Sequence, residues 1–385
     1  MPYPKPPMTR RSLLRYAGFS AAAASTVATV AWAQPGKSSG PSRSVTIAQV
    51  VDTSQAQQDV SKDFLIGSRA AWQDINLQGG IRGRKVEHQT IETDGTLPSL
   101  RTGLDAIRAN PSCIVMSGSA GDQVASQMVS LSRQESLNIA HVAPWLQNSS
   151  LEVDANTFPI FAARQEQIRH ALKTLSVMGV SELGAIFGST RDHTAYHGEV
   201  ERIAASMQLK LLAFQANDDL RALGQKLTPA TPAILLFVGG TPELAEFTKG
   251  LEKQSRQRFI VALADVNLQT MLQMGAARNT PVIATQPVPL VTAGLPVVRS
   301  YRETLARLFD EPPAALSLAG FIAARYTFEV LNDIDGPLTR QSALAAFQRR
   351  ASLDVGGFRV SFNPQGRSST YVTQSMMTLD GRLIG

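Results

Sequence analysis

The chain has 385 residues, of which 43% are hydrophobic and 18% charged, values typical of a globular protein with more than one core. Four basic and no acidic residues lie among residues 1–33, so much of the formal charge of +6 belongs to this segment and no nucleic-acid partner is indicated. The single cysteine, Cys113, excludes an internal disulfide and a cysteine-based metal site.

The N-terminal segment carries the features of an export signal. Residues 9–15 read TRRSLLR, a twin-arginine motif, and an Ala/Ser/Thr-rich stretch leads to an A-x-A cleavage site at residues 31–33. We predict a signal peptide over 1–33, a linker over 34–43 and a mature protein in the periplasm. An uncleaved anchor helix is the alternative, but the stretch is short and diluted with serine and threonine, so we expect no stable membrane anchoring.

Strands and helices alternate from residue 45 onward. The pattern predicts strands over 45–50, 85–91, 113–116 and 139–142, and helices over 60–76, 97–110 and 123–134. This alternation indicates a parallel sheet with helices on both faces.

The alternation breaks at the loop 143–150 and then restarts. Further strands are predicted over 158–161, 183–187, 211–214, 233–238, 258–262 and 282–285. Further helices are predicted over 165–177, 195–207, 219–226, 242–254, 295–309, 314–332 and 340–349. A closing hairpin is expected from 358–362 and 371–377.

This order predicts an α/β fold of two Rossmann-like lobes with parallel sheets, joined by crossing strands. We assign residues 44–161 with 289–350 to lobe 1, and 162–288 with 351–385 to lobe 2. Ligands of such folds bind at the carboxyl ends of the strands, which places the site in the cleft between the lobes.

One turn in lobe 1 has the composition of an anion site. Residues 117–121, SGSAG, follow a short apolar strand and precede a helix. Their lack of bulk would let a ligand approach the backbone, and the free N–H groups of the helix N-terminus favour a carboxylate. The alternative is an ordinary turn without a ligand, and neither the phosphate-loop nor the dinucleotide glycine spacing is present.

Several stretches together resemble one known family. They are FLIGSRAAWQDIN (64–76) followed by GGIRGRK (79–85), FDEPP (309–313) followed by SLAGFIAAR (317–325), and GGFRVSFNP (356–364) with the DG at 380–381. The set resembles the periplasmic solute-binding proteins of ABC importers of the leucine/isoleucine/valine type, which have the type I periplasmic binding fold. The resemblance implies a protein without enzymatic activity, cofactor or metal that passes a small amino-acid-like or carboxylate ligand to a membrane permease.

The resemblance also implies which residues contact the ligand. In this family the turn near Ser119 holds the ligand carboxylate, an aromatic near Tyr196 closes over the ligand, and an acid near Asp265 pairs with its ammonium. Trp145 lies about where the family often has threonine, which argues against a plain carboxylate clamp. The candidate ligand-binding residues are Ser117, Ser119, Ala120, Gly121, Ala143, Trp145, Tyr196, Gly240 and Asp265.

Structural roles remain open for three of these residues. Asp265 could instead cap the helix that follows it, Trp145 could lie on the rim, and Tyr196 could pack on a helix face. Similarly, His193 and His197 have the spacing of two metal ligands on one helical turn, but their segment reads as a loop that enters a helix, which favours a solvated helix face.

Two other functions use the same fold. A periplasmic sensor subunit would bind the same ligand and report it to a receptor. An α/β enzyme is the second alternative, but the chain has no G-x-S-x-G elbow, no dinucleotide glycine motif and no HExxH.

Overall fold

The first sheet contains five parallel strands. A computed structural model describes residues 44–176, 181–215, 219–276, 280–368, 371–378 and 382–385, so the predicted signal peptide and linker lie outside the described residues. The strand order is β2-β1-β3-β4-β5. The strands are β1 (Ser44–Asp52), β2 (Lys85–Thr93), β3 (Cys113–Ser117), β4 (Ala140–Val142) and β5 (Thr157–Phe158). The connecting helices are α1 (Gln58–Leu77), α2 (Leu97–Ala109) and α3 (Asp122–Gln134).

The strand order reverses between β1 and β3, because β2 lies on one side of β1 and β3 on the other. Connections that leave the carboxyl ends of these two strands go to opposite faces of the sheet. A crevice therefore opens between the segment after β1 and the turn after β3, as expected for an open parallel sheet.

The second sheet contains five parallel strands and two antiparallel strands at one edge, in the order β14-β13-β10-β9-β8-β6-β7. The strands are β6 (Glu182–Phe187), β7 (Lys210–Gln215), β8 (Ile234–Val238), β9 (Phe259–Ala262), β10 (Val282–Gln286), β13 (Thr373–Met377) and β14 (Leu383–Ile384). The helices are α4 (Arg164–Ser176), α5 (Thr190–Ser206), α6 (Leu220–Lys226), α7 (Thr241–Leu251) and α8 (Leu268–Gln273).

The chain crosses between the two sheets three times: after β5, after β10 and before β13. Between the second and third crossings lie α9 (Pro296–Leu308), α10 (Ala315–Asn332), α11 (Arg340–Gln348), β11 (Leu353–Val355) and β12 (Phe358–Val360). The mixed α/β fold with parallel sheets flanked by helices is thus the one the sequence predicts.

The closing hairpin was predicted wrongly. Strand β12 pairs with β11, whereas β13 pairs with β10 and β14 of the second sheet. Phe358 and Val360 are buried in the same core as β1 and α10, so the segment 351–385 divides between the two lobes. A third crossing of the chain explains this, because the two halves of the apparent hairpin belong to different sheets.

Helices α1 and α10 touch backbone to backbone in the core of lobe 1. A Cβ atom on Gly67 would lie 1.7 Å from the Ser317 carbonyl oxygen, and one on Gly320 would lie 1.9 Å from the Phe64 carbonyl oxygen. The amide of Gln49 in β1 donates to Ser68 Oγ of α1 (3.1 Å) and to the Gly118 carbonyl (2.6 Å). The helix contact is therefore linked to the turn after β3.

Across the described residues, no helix combines the length and apolarity that crossing a bilayer requires.

We predict that Gly320→Ala destabilises the protein, because the added methyl group meets backbone that has no rotamer to change. The expected loss in free energy of unfolding is about 1–3 kcal/mol or more, measured by urea denaturation. Gly198→Ala is the matched control, since a Cβ at this position of α5 meets nothing within 4 Å. The control should gain about 0.5–1 kcal/mol from helix propensity, and an equal effect at the two sites would contradict the close packing.

Candidate functional site

The turn after β3 has the strand-turn-helix form that the sequence predicts. It requires glycine at two positions, since Gly118 has a φ of 68° and Gly121 a φ of 98°. A Cβ on Gly121 would also lie 2.8 Å from the Asp52 Cβ atom. Helix α3 then begins at Asp122.

Both serine hydroxyls of the turn have protein partners. Ser117 Oγ lies 2.7 Å from Thr327 Oγ1, and the threonine donates its own proton to the Ala323 carbonyl, so Ser117 is the donor. Ser119 Oγ lies 2.9 Å from His141 Nε2. Both hydroxyls therefore stabilise the interior of lobe 1.

The Ser119–His141 contact has the residue types of a nucleophile and its base. Both side chains are 0% exposed, however, and burial lowers the pKa of His141 to about 4. The histidine is therefore neutral at physiological pH, and the pair is sealed from solvent in this structure. It fixes the turn rather than presenting a nucleophile.

The backbone of the turn positions Trp145. The Trp145 N–H donates to the Ser119 carbonyl (2.8 Å), and Ala143 adopts a φ of 48°, which redirects the chain just before it. The indole ring is 1% exposed and packs against Phe64 and Phe161, with centroids 5.7 and 5.5 Å away. Trp145 is thus a core residue of the cleft, and the rim interpretation is wrong.

Trp145 also connects the two lobes. Its indole Nε1–H donates to Asp265 Oδ1 at 2.8 Å, and Asp265 lies in the loop that follows β9 of the second sheet. The alternative role of Asp265 as a helix cap is wrong, because Asn267 caps α8 by accepting from the N–H groups of Gln269 and Thr270.

A buried charge cluster makes a second contact between the lobes. Arg164, the first residue of α4, donates from Nη2 to Asp122 Oδ2 of α3 (2.9 Å) and from Nη1 to Glu199 of α5. All three residues are 5% exposed or less. Burial alone would lower the pKa of Arg164, but the two carboxylates reverse this and raise it. The guanidinium also lies over the Tyr196 ring, 4.1 Å from its centroid.

A cavity of about 50 Å³ lies beside this cluster. Its walls come from the segments that follow β6, β8 and β9 of the second sheet, from those that follow β1 and β4 of the first sheet, and from Arg164 at the start of α4, so it lies where the carboxyl ends of both sets of strands meet. The polar side chains that line it are those of Gln57, Gln147, Arg164, Ser189, Asp192, Tyr196, Glu243 and Asp265.

The acids in this cavity are shifted towards the neutral form. Burial raises the pKa values of Asp192 and Glu243. It raises the pKa of Asp265 to about 6, against the lowering effect of the Trp145 hydrogen bond. Perturbed carboxyl groups that share a cleft are typical of a functional site.

The structure brings together only some of the predicted site residues. Tyr196, Gly240 and Asp265 line the cavity, and Trp145 contacts it through Asp265. The remaining predicted residues do not line it: Ser117, Ser119, Ala120, Gly121 and Ala143. Their ligand contacts stay predictions.

Sequence reasoning missed six of the eight polar side chains that line the cavity: Gln57, Gln147, Arg164, Ser189, Asp192 and Glu243. The sequence did contain a signal for Asp192, because a serine followed three residues later by an acid is typical of a helix N-terminus. In the structure Ser189 caps α5: its Oγ accepts from the Asp192 N–H and donates to the Asp192 carboxylate. Arg164 also stood out as a charged residue directly after the apolar run 158–163. No local pattern marks Gln147 or Glu243, whose place depends on the tertiary fold.

A larger cavity of about 170 Å³ lies between the second crossing of the chain and β13 and β14. Among the described residues that line it, none has a charged side chain and none is one of the nine predicted site residues. The two histidines of α5 stack at 4.8 Å, and among the described residues no three potential metal-ligating side chains come together.

Comparisons with known proteins agree with this architecture. The family model described as periplasmic binding protein matches residues 44–377. A comparison with curated proteins gave no match.

Solved structures share the fold at low identity. An extracellular ligand-binding receptor from Verminephrobacter eiseniae is 18% identical, with a TM-score of 0.79 over 89% of this chain and 100% of the other. A fatty acid ABC transporter substrate-binding protein from Thermomonospora curvata is 14% identical, with a TM-score of 0.73 over 89% and 90%. A branched-chain amino acid transporter substrate binding protein from Streptococcus pneumoniae, in complex with isoleucine, is 12% identical, with a TM-score of 0.72 over 89% and 98%.

The raised pKa of Asp265 predicts how its contribution to stability changes with pH. In the folded protein the Asp265 carboxyl group keeps its proton up to about pH 6, whereas in the unfolded chain it loses the proton near its ordinary pKa of about 4. The folded state therefore binds more protons between these values, and stability falls as pH rises through this window.

Asp265→Asn keeps the acceptor for Trp145 and removes this titration. Relative to the variant, the wild-type protein should lose up to about 3 kcal/mol of unfolding free energy between pH 4 and 6, measured by urea denaturation at several pH values. The exposed Asp335→Asn serves as control and should follow the wild type. Parallel pH profiles for all three proteins would contradict the burial of Asp265.

Proposed function

Because the chain belongs to the periplasmic binding protein family, we propose that it captures a small amino-acid-like ligand between its lobes and delivers it to the permease of an ABC importer. The observation that carries this proposal is the interlobe cavity that brings Tyr196, Gly240 and Asp265 together. Three strand ends of the second sheet and two of the first converge there, which is where open α/β sheets bind ligands.

Closure of the lobes is the proposed binding step. Contacts that join the lobes include Trp145 to Asp265, Arg164 to Asp122, and Asn267 Nδ2 to Asp63 Oδ2 (3.0 Å). The three crossings of the chain form the hinge about which such lobes move. A ligand that bridges the two walls would add to these contacts and favour the closed form.

An amino-acid-like ligand suits this cavity better than a plain carboxylate. Asp265 can accept from an ammonium group in a charge-assisted hydrogen bond, and the neighbouring Asp192 and Glu243 are also acids. A plain carboxylate would meet three groups of its own charge. The predicted carboxylate contact at the turn 117–121 remains a separate proposal.

The place of action proposed is the periplasm, after export by the twin-arginine signal at residues 1–33. A sensor subunit in the same compartment would use the same cavity and differ only in the membrane partner of the closed form. Co-purification with a permease-ATPase complex, rather than with a receptor, would favour transport.

We predict that native mass spectrometry of protein purified without denaturation detects a bound small molecule, and that adding this molecule to stripped protein raises Tm. Tyr196→Ala should abolish most of the Tm increase, because it removes the aromatic wall of the cavity. Leu77→Ala, which changes a 69% exposed side chain on α1, should keep it. The proposal fails if no ligand is retained and no compound of a broad metabolite panel raises Tm.

A further inference from the structure

We propose that the ligand of the interlobe cavity is a compact monocationic amine that also carries an uncharged acceptor oxygen, as amino-acid amides and amino alcohols do. The inference rests on the proposed binding function and narrows the class of ligand. It follows from the balance of charges around the cavity and from the orientation of one buried amide.

Three carboxylates face the cavity without a cation of their own. Asp192 accepts from Ser189 Oγ (2.7 Å) and Asp265 accepts from the Trp145 indole (2.8 Å), both of which are neutral donors. Among the described residues, no ion pair includes Asp192, Glu243 or Asp265. Their charge is therefore not cancelled within the cavity wall.

The nearby arginines do not supply the missing charge. Arg164 is already shared by Asp122 and Glu199, so this buried trio has a net charge of −1. Arg191 is exposed at the start of α5, donates to Gln123 Oε1, and only moderates the pKa of Asp192, which burial still raises. The cavity as a whole remains acidic.

Burial and mutual repulsion both disfavour the ionised acids. Asp192 raises the pKa of Asp265 and of Glu243, in addition to the larger effect of burial on each. A ligand cation would relieve this repulsion and restore the ionised forms. A ligand anion would increase the repulsion, so the charge of the cavity favours cations over anions.

The cavity also offers a hydrogen-bond donor, the buried side-chain amide of Gln147. The Ala264 N–H donates to Gln167 Oε1 (3.1 Å), so Gln167 must present its Nε2 to Gln147 Oε1. Gln147 is thereby fixed with its Nε2 as the free end. Gln147 is 3% exposed and lines the cavity, and its Nε2 has no partner among the described residues.

The Nε of Arg164, another cavity residue that is 3% exposed, is likewise without a partner in the described part of the chain. Two buried donors therefore lack an acceptor oxygen, and leaving them unsatisfied costs free energy. A ligand carboxylate at this end would approach Asp122 and Glu199, whose charges exceed that of Arg164. An uncharged carbonyl or hydroxyl oxygen avoids this repulsion.

The size of the cavity limits the ligand to a short skeleton. A volume of about 50 Å³ holds roughly three to five water-sized groups, at about 10–15 Å³ each. Trp145 fills the adjacent space with its ring. An alanine-sized molecule fits this space, whereas a long aliphatic chain requires a more open cleft.

Isothermal titration calorimetry with the full chain near pH 7 tests the inference with three probes of one skeleton. Alaninamide is a cation with an acceptor oxygen, alanine is a zwitterion and propionate is an anion. We expect alaninamide to bind at least tenfold more tightly than alanine, and propionate to show no heat of binding. Isobutylamine, a cation without an acceptor, should bind at least tenfold more weakly than alaninamide.

Two variants on one helix separate the cavity charge from a general charge effect. Glu243→Gln removes a cavity carboxylate and should weaken alaninamide binding at least fivefold. Glu246→Gln, the same change at an exposed position of α7, should leave it unchanged. Equal effects of the two substitutions would overturn the assignment of the cation to this cavity.

The outcomes distinguish this inference from the proposed function. Tighter binding of alanine or propionate than of alaninamide would overturn the inference and leave the binding function intact. The inference also fails, and the binding function stands, if none of the probes binds while another metabolite is retained by the purified protein. Absence of any retained ligand and of any binding would contradict both.

Discussion

The arrangement of the two lobes depends on one buried guanidinium. Arg164 lies between Asp122 of lobe 1 and Glu199 of lobe 2, and all three side chains are shielded from water. Removing three charges from water costs several kcal/mol each, and only good geometry and full hydrogen bonding repay it. Such a cluster specifies one closed arrangement, because a shifted lobe would leave a buried charge without its partner.

The same cluster determines the chemistry of the cavity beside it. Because Arg164 is already bound by two acids, it contributes little positive charge to the neighbouring space, while Asp192, Glu243 and Asp265 contribute negative charge. The stacking of Arg164 on Tyr196 fixes the aromatic wall. Trp145 provides the remaining boundary through its bond to Asp265. One set of interactions thus holds the lobes together, shapes the cavity and makes its charge negative.

Hydrophobic periodicity was sufficient to predict the alternation of strands and helices, since α1 and α3 carry their apolar residues at helical spacing. It could not predict that β13 pairs with β10, because pairing between distant strands leaves no local signal. The pairing of β12 with β11 did have a local signal, the two-glycine turn Gly356–Gly357, which sequence reasoning missed. The prediction that Tyr196 and Asp265 contact the ligand came from a family resemblance. The position of Gln147 and Arg164 beside the cavity could not be predicted in the same way, because it depends on which side chains the crossings of the chain bring together. The hydroxyl of Ser119 illustrates the same limit, since its partner His141 lies on the next strand of the sheet.

The central claim is that the space between Arg164, Tyr196 and Asp265 receives the ligand. A crystal structure of the protein purified with its natural ligand tests this most directly. We predict electron density for a small molecule within hydrogen-bond distance of Asp265 and of Gln147 Nε2. Ligand density in the larger cavity beside β13 and β14, with only solvent next to Asp265, would contradict it.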